Sequence, residues 1–299
     1  MRELARFVMR GRLHAGAVAG LFGGLCLFLP PLSYLSGAAV GLVSLRSGWR
    51  DAMVVSMLAA TIASVIALFI AQRPEPGMIL MVLLWLPVMG GCWVLRVTRS
   101  QGLVLLVMAA FAALLAIGLR FYAGGDVASW WQNLMQALIE TRPTGSSNIA
   151  LIMGHGSFEL MNGFLTMLLG LSLVLTILLA RWWQALLYNP GGFQAEFHAL
   201  LVPKSLAIVT TALGALVFSG TVAKSSIWVD LFMVSIMVYL VQGLAVIHGM
   251  VGGRGLSRWW LAPIYVGLFF VPPHVILGLV MVGLVDSLVD FRSRGATPS

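Results

Sequence analysis

The sequence is poor in charge. Only 9% of its 299 residues are Asp, Glu, Lys or Arg, whereas 60% are hydrophobic. A soluble domain carries about 25% charged residues, so water is excluded as the solvent for most of this chain. The charges sum to +8, but the basic residues stand at the ends of apolar stretches, which is a membrane-topology pattern. We therefore expect the lipid bilayer as a partner and no nucleic acid.

Reactive groups are scarce as well. The two cysteines, Cys26 and Cys92, lie inside apolar stretches, which excludes a disulfide framework. No P-loop, nucleophile elbow or HExxH pattern occurs. His155, Glu159 and Asn162 share a helical face, yet no second ligand cluster stands nearby, so a solvated helix start is favoured there over a metal site. We expect no catalytic residue, no metal and no cofactor, and hence no enzyme.

Long apolar runs are abundant. Residues 52–71 and 227–251 are examples, and each reaches the ~20 residues that cross a bilayer as a helix. The predicted fold is an all-α, polytopic transmembrane bundle of about 8–10 membrane helices. Two longer stretches, 15–45 and 261–288, are interrupted at Pro30-Pro31 and Pro272-Pro273. Two Pro-Pro-broken hairpins are predicted, although the last stretch also fits a single bent span. Their similar order hints at the internal repeats of transporters.

Two shorter stretches have one apolar face and one polar face. In residues 126–140 the apolar face includes Trp130 and Trp131, and Asp126 is placed to cap the helix. In the second stretch Phe193, Phe197 and two leucines form the apolar stripe. Both are predicted to lie in the membrane interface.

The basic residues also predict the orientation. Arg2, Arg6, Arg10 and Arg12 place the N-terminus in the cytoplasm of a multi-pass bacterial inner (cytoplasmic) membrane protein. One membrane domain is predicted over residues 1–299. Its parts outside the bilayer are a basic cytoplasmic N-terminus, an outer segment, a cytoplasmic loop and a C-terminal tail, at residues 1–14, 120–163, 181–204 and 289–299.

The first span has a face of small residues at every third or fourth position. Such spacing allows another helix to approach to backbone contact. The neighbour is either in the same chain or in another membrane protein. The residues are Ala15, Gly16, Ala19, Gly20, Gly23 and Gly24.

Few ionisable residues lie at membrane depth, and such residues are the default site candidates. A candidate cavity is predicted near the second proline pair, because a histidine beside broken backbone could bind a solute or carry a proton. Terminal positions, Asp286 among them, also reach water by snorkelling. The cavity candidates are His274, Pro272, Pro273, Asp230 and His248.

The most distinctive local pattern lies in the predicted cytoplasmic loop. It combines a tryptophan anchor with a turn and a pair of phenylalanines. It is a candidate docking motif for partner proteins. Its residues are Arg181, Trp182, Trp183, Tyr188, Asn189, Pro190, Gly191, Gly192, Phe193 and Phe197.

Three segments carry a family resemblance: residues 1–12 (MRELARFVMRGR), 29–38 (LPPLSYLSGA) and 180–193 (ARWWQALLYNPGGF) with Glu196 and Phe197. They resemble the YybS-like family, bacterial polytopic membrane proteins grouped as a domain of unknown function. More distantly, the chain is similar to the substrate-binding subunits of energy-coupling-factor transporters. That similarity implies docking of a membrane partner on Ala15, Ala19 and Gly23.

Two functions follow as hypotheses. The first is a solute- or lipid-handling transporter, or a transporter binding subunit, whose ligand is unknown. The alternative is a non-transporting scaffold that docks partners through the cytoplasmic loop. The spans hold so few polar groups that a weakly polar or lipid-like substrate is favoured over a charged one.

Overall fold

A computed structural model of the chain describes residues 1–141 and 157–289. Over these residues the regular structure is helical, and no strand occurs. The all-α prediction is confirmed. The α-helices are α1 (Arg2–Val8), α2 (Arg12–Leu25), α3 (Leu32–Ser47), α4 (Trp49–Ala71), α5 (Glu75–Leu80), α6 (Leu86–Thr98), α7 (Gln101–Tyr122), α8 (Val127–Thr141), α9 (Ser157–Tyr188), α10 (Gly192–His198), α11 (Lys204–Phe218), α12 (Ile227–Gly253), α13 (Ala262–Phe270) and α14 (Pro272–Val289).

Six helical segments of the described residues are long and apolar enough to cross a membrane. They are Trp49–Ile70, Glu75–Thr98, Gln101–Tyr122, Phe158–Tyr188, Ile227–Gly253 and Pro272–Val289. Helices α2, α3 and α11 have 14, 16 and 15 residues, which is about 21–24 Å of helix. The chain is thus a polytopic membrane protein, and the predicted range of spans is reached only when these shorter helices are counted with the six.

The chain forms two compact units. The first comprises Met1–Met108 and Leu171–Leu200, and the second comprises Ala109–Gly170 and Leu201–Ser299. The boundaries fall inside α7 and α9, so these two helices contribute residues to both units. Each unit has its own packing, described in turn below.

In the first unit the predicted break at Pro30-Pro31 separates α2 from α3. Neither helix continues through residues 26–31, because a proline cannot donate the helical hydrogen bond and its ring displaces the preceding turn. The two helices pack against each other: the Ser36 hydroxyl of α3 donates to the Ala19 carbonyl of α2 at 2.6 Å. The predicted N-terminal hairpin therefore forms.

A π-helical turn, Met81–Trp85, joins α5 to α6. Pro87 follows at the second position of α6, where its missing N–H and its ring prevent a regular α-helical bond to the turn before it. Widening that turn accommodates the proline without ending the span. The turn also directs Trp85 into the unit, where the side chain is fully buried and its Nε1 donates to Ser36 Oγ at 3.1 Å.

In the second unit α8 is the predicted amphipathic helix of residues 126–140. Val127 and Trp131 are buried, whereas Gln132 and Asn133 are exposed. Asp126 caps the helix as predicted, since its carboxylate accepts the Ser129 backbone N–H at 3.1 Å. Hydrogen bonding to Ser129, through its side chain and its backbone, holds the pKa of Asp126 below the ordinary range.

The last segment differs from a hairpin of two spans. Its break falls at Val271, and α13 has only nine residues, about 13 Å of helix against a hydrocarbon layer of about 30 Å. Helix α14 instead crosses alone and runs antiparallel to α12, since Gly243 faces Leu279 and Gly283 faces Tyr239. The C-terminal end of α14 thus lies beside the first half of α12. Arg292 and Arg294, which follow α14 in the chain, lie outside the described residues.

Candidate functional site

Two residues of the predicted cavity, Asp230 and His248, lie far apart on one helix. Asp230 is the fourth residue of α12, and His248 lies 18 residues further on, a distance of about 27 Å along the axis. His274 is in the first turn of α14 together with Pro272 and Pro273, and its side chain is exposed. The structure therefore gives this histidine no enclosed position beside broken backbone.

His248 contacts the segment that precedes α14. Its Nδ1 lies 2.8 Å from the Leu244 carbonyl oxygen, and its Nε2 lies 3.0 Å from the Tyr265 hydroxyl. Because a carbonyl oxygen can only accept, Nδ1 is the donor of the bond to Leu244. These bonds hold α13 against the end of α12.

Asp230 belongs to a buried polar cluster of the second unit, which we call the Asp230 cluster (Arg120, Asn162 and Asp230). The carboxylate oxygen Oδ2 accepts Arg120 Nη2 at 2.8 Å and Asn162 Nδ2 at 2.6 Å. Asp230 is 1% exposed. Asn162 also donates to the Ala116 carbonyl at 3.2 Å, so the cluster joins α7, α9 and α12. Burial of the pair in one unit explains how an aspartate is retained inside an apolar helix.

A second polar cluster lies near the middle of α12. We call it the mid-span cluster (Thr210, Tyr239, Gln242, Asp286 and Ser287). Gln242 is the sixteenth of the 27 residues of α12. Its Nε2 donates to Asp286 Oδ2 at 3.0 Å, and Ser287 Oγ donates to its Oε1 at 3.0 Å. Asp286 and Gln242 are both 0% exposed.

Two hydroxyl groups of the mid-span cluster form no hydrogen bond among the described residues. The hydroxyls of Tyr239 and Thr210 are buried, and neither has a partner of good geometry among the described residues. Since Tyr239 has Thr210 and Ser287 as its polar neighbours, donors and acceptors converge on one place from α11, α12 and α14. Such an arrangement can bind a small polar group or pass a proton, which an apolar helix interface cannot.

Glycines bring α12 and α14 close enough to enclose this cluster. A methyl group added at Gly243 would lie 2.0 Å from the Leu279 carbonyl oxygen, and one at Gly283 would lie 2.3 Å from the Tyr239 carbonyl oxygen. The two backbones therefore touch. Because α14 runs antiparallel at this offset, Asp286 lies opposite the middle of α12 even though it stands in the last turns of its own helix.

The small-residue face of α2 is covered by the first unit itself. A methyl group at Gly16, Gly20 or Gly24 would lie 2.9, 2.6 or 2.8 Å from the Cβ of Leu58, Ile62 or Ile66, which are side chains of α4. The other row (Ala15, Ala19 and Gly23) is buried, and Gly23 faces Ser36 and Trp85. Both rows are therefore used for packing within the chain.

The candidate docking motif is largely tied to the first unit. Arg181, 6% exposed, donates from Nε to Glu196 Oε2 at 2.9 Å and from Nη2 to Glu196 Oε1 at 2.5 Å. Trp183 is fully buried. Both residues belong to α9, and not to a loop. The ion pair fixes α10 against the end of α9.

The turn between α9 and α10 leaves the remaining motif residues at the surface. Gly191 has φ +86°, a conformation that favours glycine. Tyr188, Asn189 and Pro190 are exposed, and the Arg46 guanidinium lies 4.5 Å from the centre of the Tyr188 ring. Trp182 and Gly192 are partly buried. Phe193 and Phe197 stack with ring centres 5.9 Å apart.

Two kinds of residue escaped the sequence analysis. Arg120 and Asn162 stand 110 and 68 positions from Asp230, and Asn162 was considered only beside His155, which lies outside the described residues. Gln242 carries no charge, so a search for ionisable residues at membrane depth does not find it. A usable signal existed: Arg120 begins the predicted outer segment, and Asp230 stands in the first turn of α12.

Among residues 1–141 and 157–289, no three His, Cys, Asp or Glu side chains approach one another as a metal site requires. No protein-family model, no curated protein and no solved structure matches the chain.

Proposed function

We propose that the protein is a membrane transporter, or the solute-binding subunit of one, in which Asp286 exchanges a proton during transport. The observation that carries this proposal is the mid-span cluster. In it the fully buried carboxylate of Asp286 lies opposite the middle of α12, beside the hydroxyl groups of Tyr239 and Thr210, which have no hydrogen-bond partner among the described residues. The likeness to YybS-like proteins stays a prediction and contributes no activity.

Placing a carboxylate inside the membrane costs free energy. On insertion scales an aspartate at the centre of a membrane helix costs about 2.5–3.5 kcal/mol. Asp286 stands in the last turns of α14, but it lies opposite the middle of α12, where Gln242 donates to it. Packing of α12 on α14 does not need a carboxylate, since the backbones already touch at Gly243 and Gly283. An acid retained at that depth supports a role in which its charge changes, and proton uptake and release is the simplest such change.

The cluster also bears on the class of solute. Among the described residues, the binding groups of the cluster are one acid, one amide and three hydroxyls. The surrounding spans are apolar. This composition suits a weakly polar solute that carries a few hydroxyl or amine groups.

We further propose a bacterial inner membrane location with a cytoplasmic N-terminus. Support comes from arginines at the ends of helices that are joined by short connections. Examples are Arg46 in the last turn of α3 and Arg50 in the first turn of α4, and Arg96 and Arg99 at the end of α6. Basic residues in short loops remain on the cytoplasmic side.

The scaffold alternative draws less support from the molecule. Arg181 and Trp183 are buried, and Glu196 is used to hold α10 on α9. Helix α2, the other candidate partner surface, is covered by α3 and α4. Internal packing therefore accounts for the small-residue face of α2 and for part of the docking motif, whereas Tyr188, Asn189 and Pro190 are exposed.

The test is proton-linked uptake in proteoliposomes. The purified protein is reconstituted with an acidic exterior, the vesicles are incubated with the weakly polar fraction of a bacterial metabolite extract, and their contents are identified by mass spectrometry. The wild-type protein should accumulate at least one solute only when the gradient is present. Asp286→Asn should reduce that accumulation to the level of protein-free liposomes, because asparagine keeps an acceptor for Gln242 but cannot exchange the proton.

Asp126→Asn is the matched control. Asparagine caps a helix as well as aspartate does, so this variant removes one carboxylate charge from an exposed position and should transport like the wild type. Absence of any gradient-dependent solute, or equal uptake by the Asp286→Asn protein, would count against the proposal.

A further inference from the structure

The first unit carries a pocket whose two halves differ in chemistry. One half, about 410 Å³, lies at the turn between α3 and α4 and is bordered by Ser44, Ser47, Arg50 and Arg96. The other half, also about 410 Å³, is bordered by Leu86, Met89 and Gly90 of α6. Trp49 and Trp93 border both halves. The two halves are separate cavities that share these tryptophans, so a polar compartment adjoins an apolar groove.

The polar half is arranged for an anion. No Asp or Glu borders it. Arg50 forms no ion pair among the described residues, and Arg96 donates only to the Ser44 carbonyl, at 3.5 Å. Helix α4 begins here, at Gly48, so the first backbone N–H groups of a 23-residue helix add positive potential.

An unpartnered buried group supplies a second, independent observation. Ser44 is 1% exposed, and its hydroxyl has no hydrogen-bond partner among the described residues although it borders the polar half. Gly48 keeps the space open: its φ is +102°, and a side chain there would meet Arg96 Nη1 at 3.1 Å. A bound acceptor group would use both the hydroxyl and the guanidinium.

The apolar half is an open groove on the outside of α6. Trp49 and Trp93 are 54% and 55% exposed, as is usual for tryptophans at the level of lipid headgroups. Nothing lies within 4 Å of a methyl group built on Gly90. The floor of the groove is therefore empty, and it extends away from the arginines along the span.

We propose that this pocket binds one anionic phospholipid, with the phosphate between Arg50 and Arg96 and an acyl chain along Gly90 between the two tryptophans. Two arginines, a helix N-terminus and a serine hydroxyl match a phosphate diester, and the adjoining groove matches a hydrocarbon chain. Basic pockets between membrane helices on the cytoplasmic side bind anionic headgroups in the same way. The proposal is independent of the transport function of the second unit.

The test is native mass spectrometry of the full-length protein in detergent, titrated with phosphatidylglycerol. The wild-type protein should retain one phosphatidylglycerol in preference to phosphatidylcholine. The double variant Arg50→Gln with Arg96→Gln should bind it about tenfold or more weakly, because each arginine near an anionic headgroup contributes about 1 kcal/mol. Arg254→Gln with Arg258→Gln removes the same charge from exposed positions outside the pocket and should bind like the wild type.

A groove variant separates a lipid from a soluble anion. Gly90→Leu places a side chain in the groove, at a position where an added Cβ has nothing within 4 Å, and should weaken phosphatidylglycerol binding. Gly118→Leu, at an equally open glycine of α7, should not. Inorganic phosphate in millimolar excess should leave the lipid bound. Equal retention by the arginine variant, equal retention of phosphatidylcholine, no effect of Gly90→Leu, or displacement by inorganic phosphate would each overturn the assignment.

Discussion

The two units differ in the polar and charged groups that they bury. In the first unit, the buried cation Arg181 pairs with a glutamate whose side chain is 30% exposed, and the interior bond between Trp85 and Ser36 is neutral. In the second unit, Asp230 and Asp286 are 1% and 0% exposed. The first unit therefore needs no buried acid to hold its helices together, whereas the second retains two, which is why we assign the solute chemistry to the second unit.

Breaking the Asp230 ion pair should have the largest effect on stability. Arg120→Ala removes the partner of a nearly fully buried carboxylate, and such a change costs about 3–5 kcal/mol because the remaining charge stays buried. Arg120→Leu combined with Asp230→Leu removes both charges and should regain most of that loss. The measurement is the thermal unfolding midpoint in one fixed detergent.

The matched control lies in the first unit. Arg12 donates to Asp51 at 2.7 Å, but the two side chains are 60% and 30% exposed. Arg12→Ala should cost less than about 1 kcal/mol, since exposed ion pairs contribute little. If Arg120→Ala is as mild as Arg12→Ala, the contrast between the two units is wrong.

The glycine contact between α12 and α14 comes next. Gly243→Ala places a methyl group 2.0 Å from a backbone oxygen, and a backbone that cannot yield must separate, at a cost of about 1–3 kcal/mol. Gly278→Ala, at a glycine of α14 that has nothing within 4 Å, should leave the unfolding midpoint unchanged. Equal midpoints for the two variants would show that the helices do not touch at Gly243.

Local features of the fold were predictable from the sequence. The spans follow from the length of apolar runs, the break at Pro30-Pro31 from the chemistry of proline, and the cap at Asp126 from a short-range hydrogen bond. Each depends on residues that are neighbours in the chain. The packing face of α2 was predicted for the same reason, although its neighbour, α4, was not.

The mid-span cluster depends on how α14 is aligned along α12. That alignment could not be predicted from the sequence. Asp286 stands near the end of its own helix, so solvation was expected there. The antiparallel offset set by Gly243 and Gly283 instead places it against the middle of α12. The surroundings of His274 depend on alignment in the same way: its side chain is exposed, and the preceding helix α13 has only nine residues.

The smallest expected loss of stability comes from breaking the hydrogen bond between Trp85 and Ser36 in the first unit. Ser36→Ala leaves Trp85 Nε1 buried without its acceptor and should cost about 1–2 kcal/mol. Trp85→Phe alone also loses that bond, so the double variant should cost less than the sum of the two single changes. Thr61→Ala, at an exposed position of α4, is the control and should stay within about 0.5 kcal/mol. If the stability costs of the two single changes simply add, Ser36 and Trp85 act separately. If Ser36→Ala lowers stability as much as Arg120→Ala does, a neutral hydrogen bond in the first unit contributes as much as the ion pair in the second, and the contrast between the units is wrong.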